Sequence, residues 1–265
     1  MSDTNPTFRT HALALVGTTI LLVVLATGCG STKEPNRRFA TNTIKELSGL
    51  VPTKNGQGLY GVADNGVLVE TDLEGTILKR LEFKNEDLEG ITWGRDGELW
   101  LLSERTAKVF RVDPETFEKK GRFRLPIYPE REDDNKSYEG IAFDGKSRLY
   151  LVNERPAVLV TMEQKKKKWK IVEQTVLPAR RVNDLMLLSD NRGFVLIARD
   201  RGLRLLDFEC RAQGEWYGVQ EINLEGLALV PGKGLFLASD QDPAVLVALE
   251  NFKSEDDVWN ILSEK

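Results

Sequence analysis

The sequence predicts an all-β protein: a single β-propeller of five blades, four antiparallel strands in each, behind an export segment. Three observations predict it. An apolar N-terminal run ends in a cysteine, a four-residue motif recurs along the rest of the chain, and the same order of short strands and turns follows each copy of that motif. Short strands between Gly/Asp/Asn turns, about four per period of roughly 40–50 residues, are the mark of propeller blades.

At the N-terminus, Arg9 and His11 precede an apolar run from Ala12 to Ala26, which ends in Ala26-Thr27-Gly28-Cys29. A charged start, an apolar stretch and small residues before a cleavage point make a secretory signal peptide. The run is shorter than the about 20 residues a membrane-spanning helix needs, and it stops at the cysteine. Its small-small-Cys ending resembles a bacterial lipobox. That resemblance implies removal of residues 1–28 and lipidation of Cys29 as the mature N-terminus. Gly30, rather than Asp, follows the cysteine, which by resemblance to lipoprotein sorting implies the outer membrane, facing the periplasm. Residues 29–37 are then the lipidated cysteine and a short polar tether, and residues 38–265 the propeller.

The repeats follow in order. Leu47-Ser48-Gly49-Leu50, Leu88-Glu89-Gly90-Ile91, Tyr138-Glu139-Gly140-Ile141, Val182-Asn183-Asp184-Leu185 and Leu224-Glu225-Gly226-Leu227 have their third residues at 49, 90, 140, 184 and 226, in steps of 41, 50, 44 and 42. In the third copy Ile141–Phe143 is a strand, Asp144–Ser147 a turn and Arg148–Val152 a second strand. Ala157–Met162 makes a third strand, and Trp169–Val176 alternates like a fourth, more exposed one. The second and fifth copies keep this order, with Leu99–Leu102 and Val109–Val112, and with Leu235–Ala238 and Val245–Leu249. A blade cannot bury both faces alone, so the copies must pack around an axis. Five copies imply five blades, with six left open. The fifth copy lacks a fourth strand before the acidic segment at Lys253–Asp257, and residues from Arg38 to Ile44 could supply it and close the ring.

In a propeller, equivalent positions of the innermost strands form a ring around the channel. The motif places Glu89, Glu139 and Glu225 in that ring, with Ser48 in the first copy and Asn183-Asp184 in the fourth. Glu89, Glu139, Asp184 and Glu225 are the candidate metal ligands. A second series follows the second strand: Asp64, Glu104-Arg105, Glu154-Arg155, Asp200-Arg201 and Asp240. These are candidate ligand-binding residues. Converging carboxylates repel unless compensated, and an oxygen-rich cage suits Ca²⁺, or Mg²⁺ or Mn²⁺. Arginines beside the acids could instead hold an anionic or polyhydroxylated ligand.

Composition narrows the chemistry. The 265 residues are 41% hydrophobic and 29% charged, with a net charge of -4, so no global basic field points to nucleic acid. The one histidine, His11, lies in the leader. The folded part therefore has no Ser-His-Asp triad, no histidine base and no histidine-ligated zinc. With Cys29 lipidated, Cys210 has no partner for a disulfide and reads as a quiet strand residue. Trp93, Trp100 and Trp259 read as packing residues, Glu130–Lys136 as a charged surface insertion, and Lys165–Lys168 as a solvated hairpin tip that could touch anionic lipid.

The segments Leu88-Glu89-Gly90-Ile91-Thr92-Trp93, Tyr138-Glu139-Gly140-Ile141-Ala142-Phe143 and Asn153-Glu154-Arg155 resemble the SdiA-regulated (YjiK-like) family of exported β-propeller proteins. The resemblance spans Thr41–Leu249. It implies a periplasmic or membrane-attached propeller and brings no established reaction. Looser similarity extends to gluconolactonase and senescence-marker propellers, although Ile91, Ile141 and Leu227 stand where their motif has proline, and to phytase-like and esterase-like propellers. The expected function is that of a membrane-anchored envelope propeller that binds a small polar ligand or scaffolds another envelope protein, with a divalent cation in its acidic channel. The alternative is a Ca²⁺-dependent hydrolase of phosphoesters or lactones, in which Arg105 and Arg155 would orient the substrate.

Overall fold

A computed structural model describes residues 36–41, 44–127, 138–199, 201–221 and 223–264. The leader, Cys29, the insertion at Glu130–Lys136 and Asp200 lie outside the described residues. The first strand, β1 (Arg37–Ala40), stands apart from the sequence order of the rest. Blade 1 is β2 (Leu47–Pro52), β3 (Gly58–Ala63), β4 (Val67–Asp72) and β5 (Ile77–Glu82). Blade 2 is β6 (Leu88–Trp93), β7 (Leu99–Ser103), β8 (Lys108–Val112) and β9 (Lys119–Arg124). Blade 3 is β10 (Tyr138–Phe143), β11 (Arg148–Asn153), β12 (Val158–Lys165) and β13 (Lys168–Val176). Blade 4 is β14 (Asp184–Leu187), β15 (Gly193–Ala198), β16 (Gly202–Asp207) and β17 (Ala212–Tyr217). Blade 5 is β18 (Leu224–Val230), β19 (Gly234–Ser239) and β20 (Val245–Leu249), completed by β1.

Blade number is thereby settled at five, each a four-stranded antiparallel sheet. The missing strand of the fifth repeat is the early segment: β1 pairs antiparallel with β20, from Arg37 opposite Ala248 to Ala40 opposite Val245. An early segment thus supplies the outermost strand of the last blade, so that pairing between distant parts of the chain closes the ring. Every described strand lies within residues 36–264, which form one compact unit.

Burial explains the pattern along each blade. The second strands β3, β7, β15 and β19 are buried at every position, as expected of strands covered on both faces by neighbouring blades. Outermost strands such as β5 and β9 are mostly exposed and carry the charges. Five apolar clusters fill the five gaps between blades. In the gap between blades 2 and 3, Trp100 packs on Phe123, Phe143 and Trp169 with ring centroids 5.2, 4.8 and 6.1 Å apart. Trp93 meets Tyr60 edge-on at 5.8 Å.

A helix, α1 (Glu255–Ser263), occupies the C-terminal segment that the sequence marks only as acidic. Ser254 caps it by accepting from the Asp257 backbone N–H at 3.1 Å, and Val258 and Leu262, one turn apart, are buried against blades 4 and 5. Cys210 is also placed differently from the expectation. It is buried, but in the turn between β16 and β17, with φ of 63°, not in a strand.

Close packing at the axis rests on the motif glycines. A Cβ built on Gly49 would lie 2.9 Å from the carbonyl oxygen of Glu89, one on Gly90 2.9 Å from that of Glu139, and one on Gly226 2.9 Å from that of Ser48. Each glycine thus meets the inner strand of the next blade. Gly90→Ala and Gly140→Ala should each destabilise the protein by about 1–3 kcal/mol through overpacking. Their thermal midpoints should fall by about 2–4 °C for each kcal/mol lost. Gly218→Ala, at a position with nothing within 4 Å, should leave the midpoint unchanged.

Candidate functional site

The inner strands β2, β6, β10, β14 and β18 pack side by side in a closed ring, all starting at the same end of the channel. Each second strand runs back antiparallel and ends where its inner strand began. Leu47 pairs with Ala63, Leu88 with Ser103, Tyr138 with Asn153 and Leu224 with Ser239. The two acidic series, about 15 residues apart in sequence, are therefore brought to one mouth.

The geometry of the motif sharpens this. The register slips between Leu47 and Gly49, Leu88 and Gly90, Tyr138 and Gly140, and Leu224 and Gly226. The skipped residues are Ser48, Glu89, Glu139 and Glu225. A bulge re-aims the side chain it carries, and the same bulge in four blades turns four polar side chains toward one place. All four are buried, with Glu89 8% exposed and Glu225 4%.

Carboxylate oxygens of Asp64, Glu89 and Glu225 lie within 4.8 Å of one another, as do those of Asp87, Glu89 and Glu104. Glu89 belongs to both groups. Ser48 donates a short hydrogen bond to Asp64, and Asn183, standing where blades 2, 3 and 5 have Glu, donates to Glu225 at 3.4 Å. Arg199 pairs with both Glu225 and Asp240, the latter at 2.6 Å. Arg181 pairs with the buried Glu154, and the exposed Arg105 lies 3.7 Å from Asp87. Among the described residues Glu89 has no hydrogen-bond or ion-pair partner.

Electrostatics follow from this crowding. Burial pushes the Asp64 carboxyl up to about 7, helped by Asp240, Asp87 and Glu46 and opposed by the Ser48 hydrogen bond. Burial, then the neighbouring Glu139, Asp64, Asp87 and Glu104, holds Glu89 well above the ordinary carboxylate range. Asp87 is raised by burial against the pull of Arg105.

Of the four expected metal ligands, Glu89 and Glu225 come together with Asp64, and Glu139 sits close enough to raise Glu89. Asp184 does something else. It occupies the glycine position of its motif, and its carboxylate accepts from the backbone N–H groups of Leu185 at 2.8 Å and Leu227 at 3.3 Å. Of the second series, Asp64, Glu104 and Asp240 belong to the mouth, and Glu154 is buried there with Arg181. Arg155 and Arg201 are exposed, with Arg201 over the Trp216 ring at 5.9 Å. Of the arginines that neutralise buried acids, Arg199 directly follows β15, the place that Asp64, Glu104, Glu154 and Asp240 hold after their second strands and that the repeat alignment gave to Asp200, and Arg181 directly precedes its motif, as Asp87 does. Asp87 was missed because it lies just outside the four-residue motif, at a position held by Glu46 and Arg181 before two other copies.

Beyond the glycine waist the channel changes character. Leu50, Ile91, Ile141, Leu185 and Leu227 line it, and it widens into a cavity of about 950 Å³ with Ser189, Arg192 and Glu255 at its rim. Cys210 contributes nothing reactive, since burial pushes its thiol up to about 11.

The sign of the pH effect can be worked out. In the folded protein Asp64 and Glu89 hold protons at pH values where the unfolded chain has lost them, so these two groups contribute most to stability in acid, and the Asp64 contribution is lost as pH rises to about 7. The thermal midpoint of metal-free residues 36–265 should fall between about pH 5 and pH 8, and Glu89→Gln should flatten that fall. A midpoint that rises over this range would contradict the arrangement.

Comparison with known proteins agrees with the architecture. The chain belongs to the SdiA-regulated family, whose sequence profile matches residues 36–214. No protein of curated function matches it. The structure is similar to that of glutaminyl cyclase from Myxococcus xanthus, with a TM-score of 0.60 and 17% identity over 82% of this chain and 94% of that one. It is also similar to the β-propeller domain of Cps50 (Swd1) from Myceliophteria thermophila, with a TM-score of 0.51 and 12% identity over 80% of this chain and 99% of that one. At such identities the likeness is one of fold.

Proposed function

We propose that this member of the SdiA-regulated family is a lipid-tethered envelope propeller of the binding or scaffolding kind, whose acidic channel mouth takes a divalent cation. One observation carries the cation: Glu89 is buried, has no hydrogen-bond or ion-pair partner among the described residues, and faces Asp64 and Glu225 within 4.8 Å. A buried carboxylate without a partner is costly, and it is relieved either by a proton or by a cation. Three carboxylates with hydroxyl and amide oxygens nearby form a hard-oxygen donor set, with neither thiolate nor imidazole, which suits Ca²⁺ and then Mg²⁺ or Mn²⁺. Asp64, Glu89 and Glu225 would hold the ion, with Glu139 and Glu104 beside them. Arg199, paired with Glu225 and Asp240, limits the excess negative charge.

The tether supports the second half of the reading. The signal-like run and the Ala26-Thr27-Gly28-Cys29 ending leave seven residues, Gly30–Asn36, before the first strand at Arg37, a length that suits a short tether.

Calorimetric titration of Ca²⁺, Mg²⁺ and Mn²⁺ into residues 36–265 tests the site. Binding is expected at about pH 8 and weaker at about pH 5, where protons compete. Glu89→Gln should abolish it while raising the thermal midpoint of the metal-free protein, because a buried like charge is removed. Absence of binding at pH 8 would sink the cation reading and leave a proton-filled structural cluster. Turnover of a phosphoester or lactone, lost in the same variant, would replace the binding role by the hydrolase. The tether is tested separately by fractionation of cells expressing the full chain. The wild type should appear with the membranes as a lipid-labelled species, and Cys29→Ala should lose the label.

A further inference from the structure

The channel makes no use of the longest hairpin of the propeller. Strands β12 and β13 have 8 and 9 residues, and no other described strand exceeds 7. Their tip is Lys165-Lys166-Lys167-Lys168, all exposed, with Lys166 and Lys167 at φ of 49° and 65° in a tight two-residue turn. The tip is braced from behind. Trp169, 5% exposed, packs on Phe123 and Trp100, and the Arg95 guanidinium lies over the Phe143 and Trp169 rings while donating to Gln164 at 2.6 Å. Nearby acids are occupied. Glu163 accepts from Arg148 at 3.2 Å, and Asp144 accepts backbone N–H groups from residues 146, 147 and 148. None of the four lysines has an ion-pair partner among the described residues. This is a held, uncompensated patch of positive charge.

Its position is informative. β12 runs in the same direction as the inner strand β10, away from the acidic mouth, so the tip lies on the face where the apolar cavity opens. β1 runs antiparallel to β20 and starts with Arg37 opposite Ala248, near the end of β20, so β1 begins on that same face. We propose that the Lys165–Lys168 tip docks on an anionic phospholipid surface, on the face where β1 begins. The setting rests on the tethered reading above, whereas the contact itself does not need the lipid. Each lysine at such a surface adds about a fivefold gain in partition, and the gain is screened by salt.

Residues 36–265, without the tether, should co-sediment with vesicles of phosphatidylglycerol and phosphatidylcholine, less so as salt rises, and not with phosphatidylcholine alone. The variant Lys165→Gln/Lys166→Asn/Lys167→Gly/Lys168→Gln keeps a turn suited to two positive φ values and should melt like the wild type. It should bind the anionic vesicles at least about a hundredfold more weakly. Sedimentation that is absent, indifferent to phosphatidylglycerol, or unchanged in the variant would overturn the proposal. So would retention on a polyanion without vesicle binding, which would assign the tip to an acidic macromolecule. Loss of the lipid label in fractionation bears on the tether alone, so the two failures are distinguishable.

Discussion

Everything in this propeller depends on how closely five inner strands approach one another at the axis. Backbone meets backbone there, and a methyl group at Gly49, Gly90 or Gly226 would fall within 3 Å of the neighbouring strand's carbonyl oxygen. Only a residue without Cβ permits this. One blade departs from the rule, and its departure is instructive. Blade 4 has Asp184 in place of glycine, and the carboxylate reaches across to the Leu227 backbone N–H of blade 5. A Cβ on Gly140 would lie 2.6 Å from an Asp184 oxygen, so the aspartate also fills the space beside blade 3. The ring is closed by four direct contacts and one side-chain strut. That strut is buried, and burial raises its pKa well above the usual range.

The same tight ring creates the electrostatic problem at its mouth. Bulges beside the glycines aim Ser48, Glu89, Glu139 and Glu225 inward, and the returning strands deliver Asp64, Glu104 and Asp240 to the same place. Repulsion among them is relieved in three ways. Arg199 and Arg105 pair with some acids, Ser48 and Asn183 hydrogen-bond to others, and the carboxyl of Asp64 shifts toward the neutral range. Glu89 receives none of the first two. Burial and its acidic neighbours therefore hold its carboxyl well above the ordinary range, where a proton relieves the charge.

The channel is strongly polarised along its axis. Acids gather where the inner strands begin, aliphatic side chains line the waist, and the apolar cavity opens where those strands end. The chain enters β1 on the cavity side, and the braced lysine tip stands on that side too.

Much of this was legible from sequence alone. The motif copies locate the five inner strands, the turn residues divide the blades, and the lack of a fourth strand in the last repeat points to the N-terminal segment that closes the ring. These are local signals, carried by residues near one another in the chain, and repetition makes each copy confirm the others. The gathering of Glu89, Glu139 and Glu225 was likewise implied by their shared place in the repeat. What sequence could not decide are the features in which the blades differ. Asp184 looks like one more carboxylate until the packing shows it in a glycine's place, bound to backbone N–H groups. Arg181 and Arg199 look like surface charges until the ring brings them to Glu154 and Glu225. Asp64 is separated by 25 and 161 residues from the two acids it meets, at positions 64, 89 and 225, and Cys210 reads as a strand residue although its φ of 63° belongs to a turn. Repetition reveals where equivalent residues lie. Only the closed ring determines which non-equivalent ones touch, because those contacts form across gaps between blades that have no counterpart along the chain.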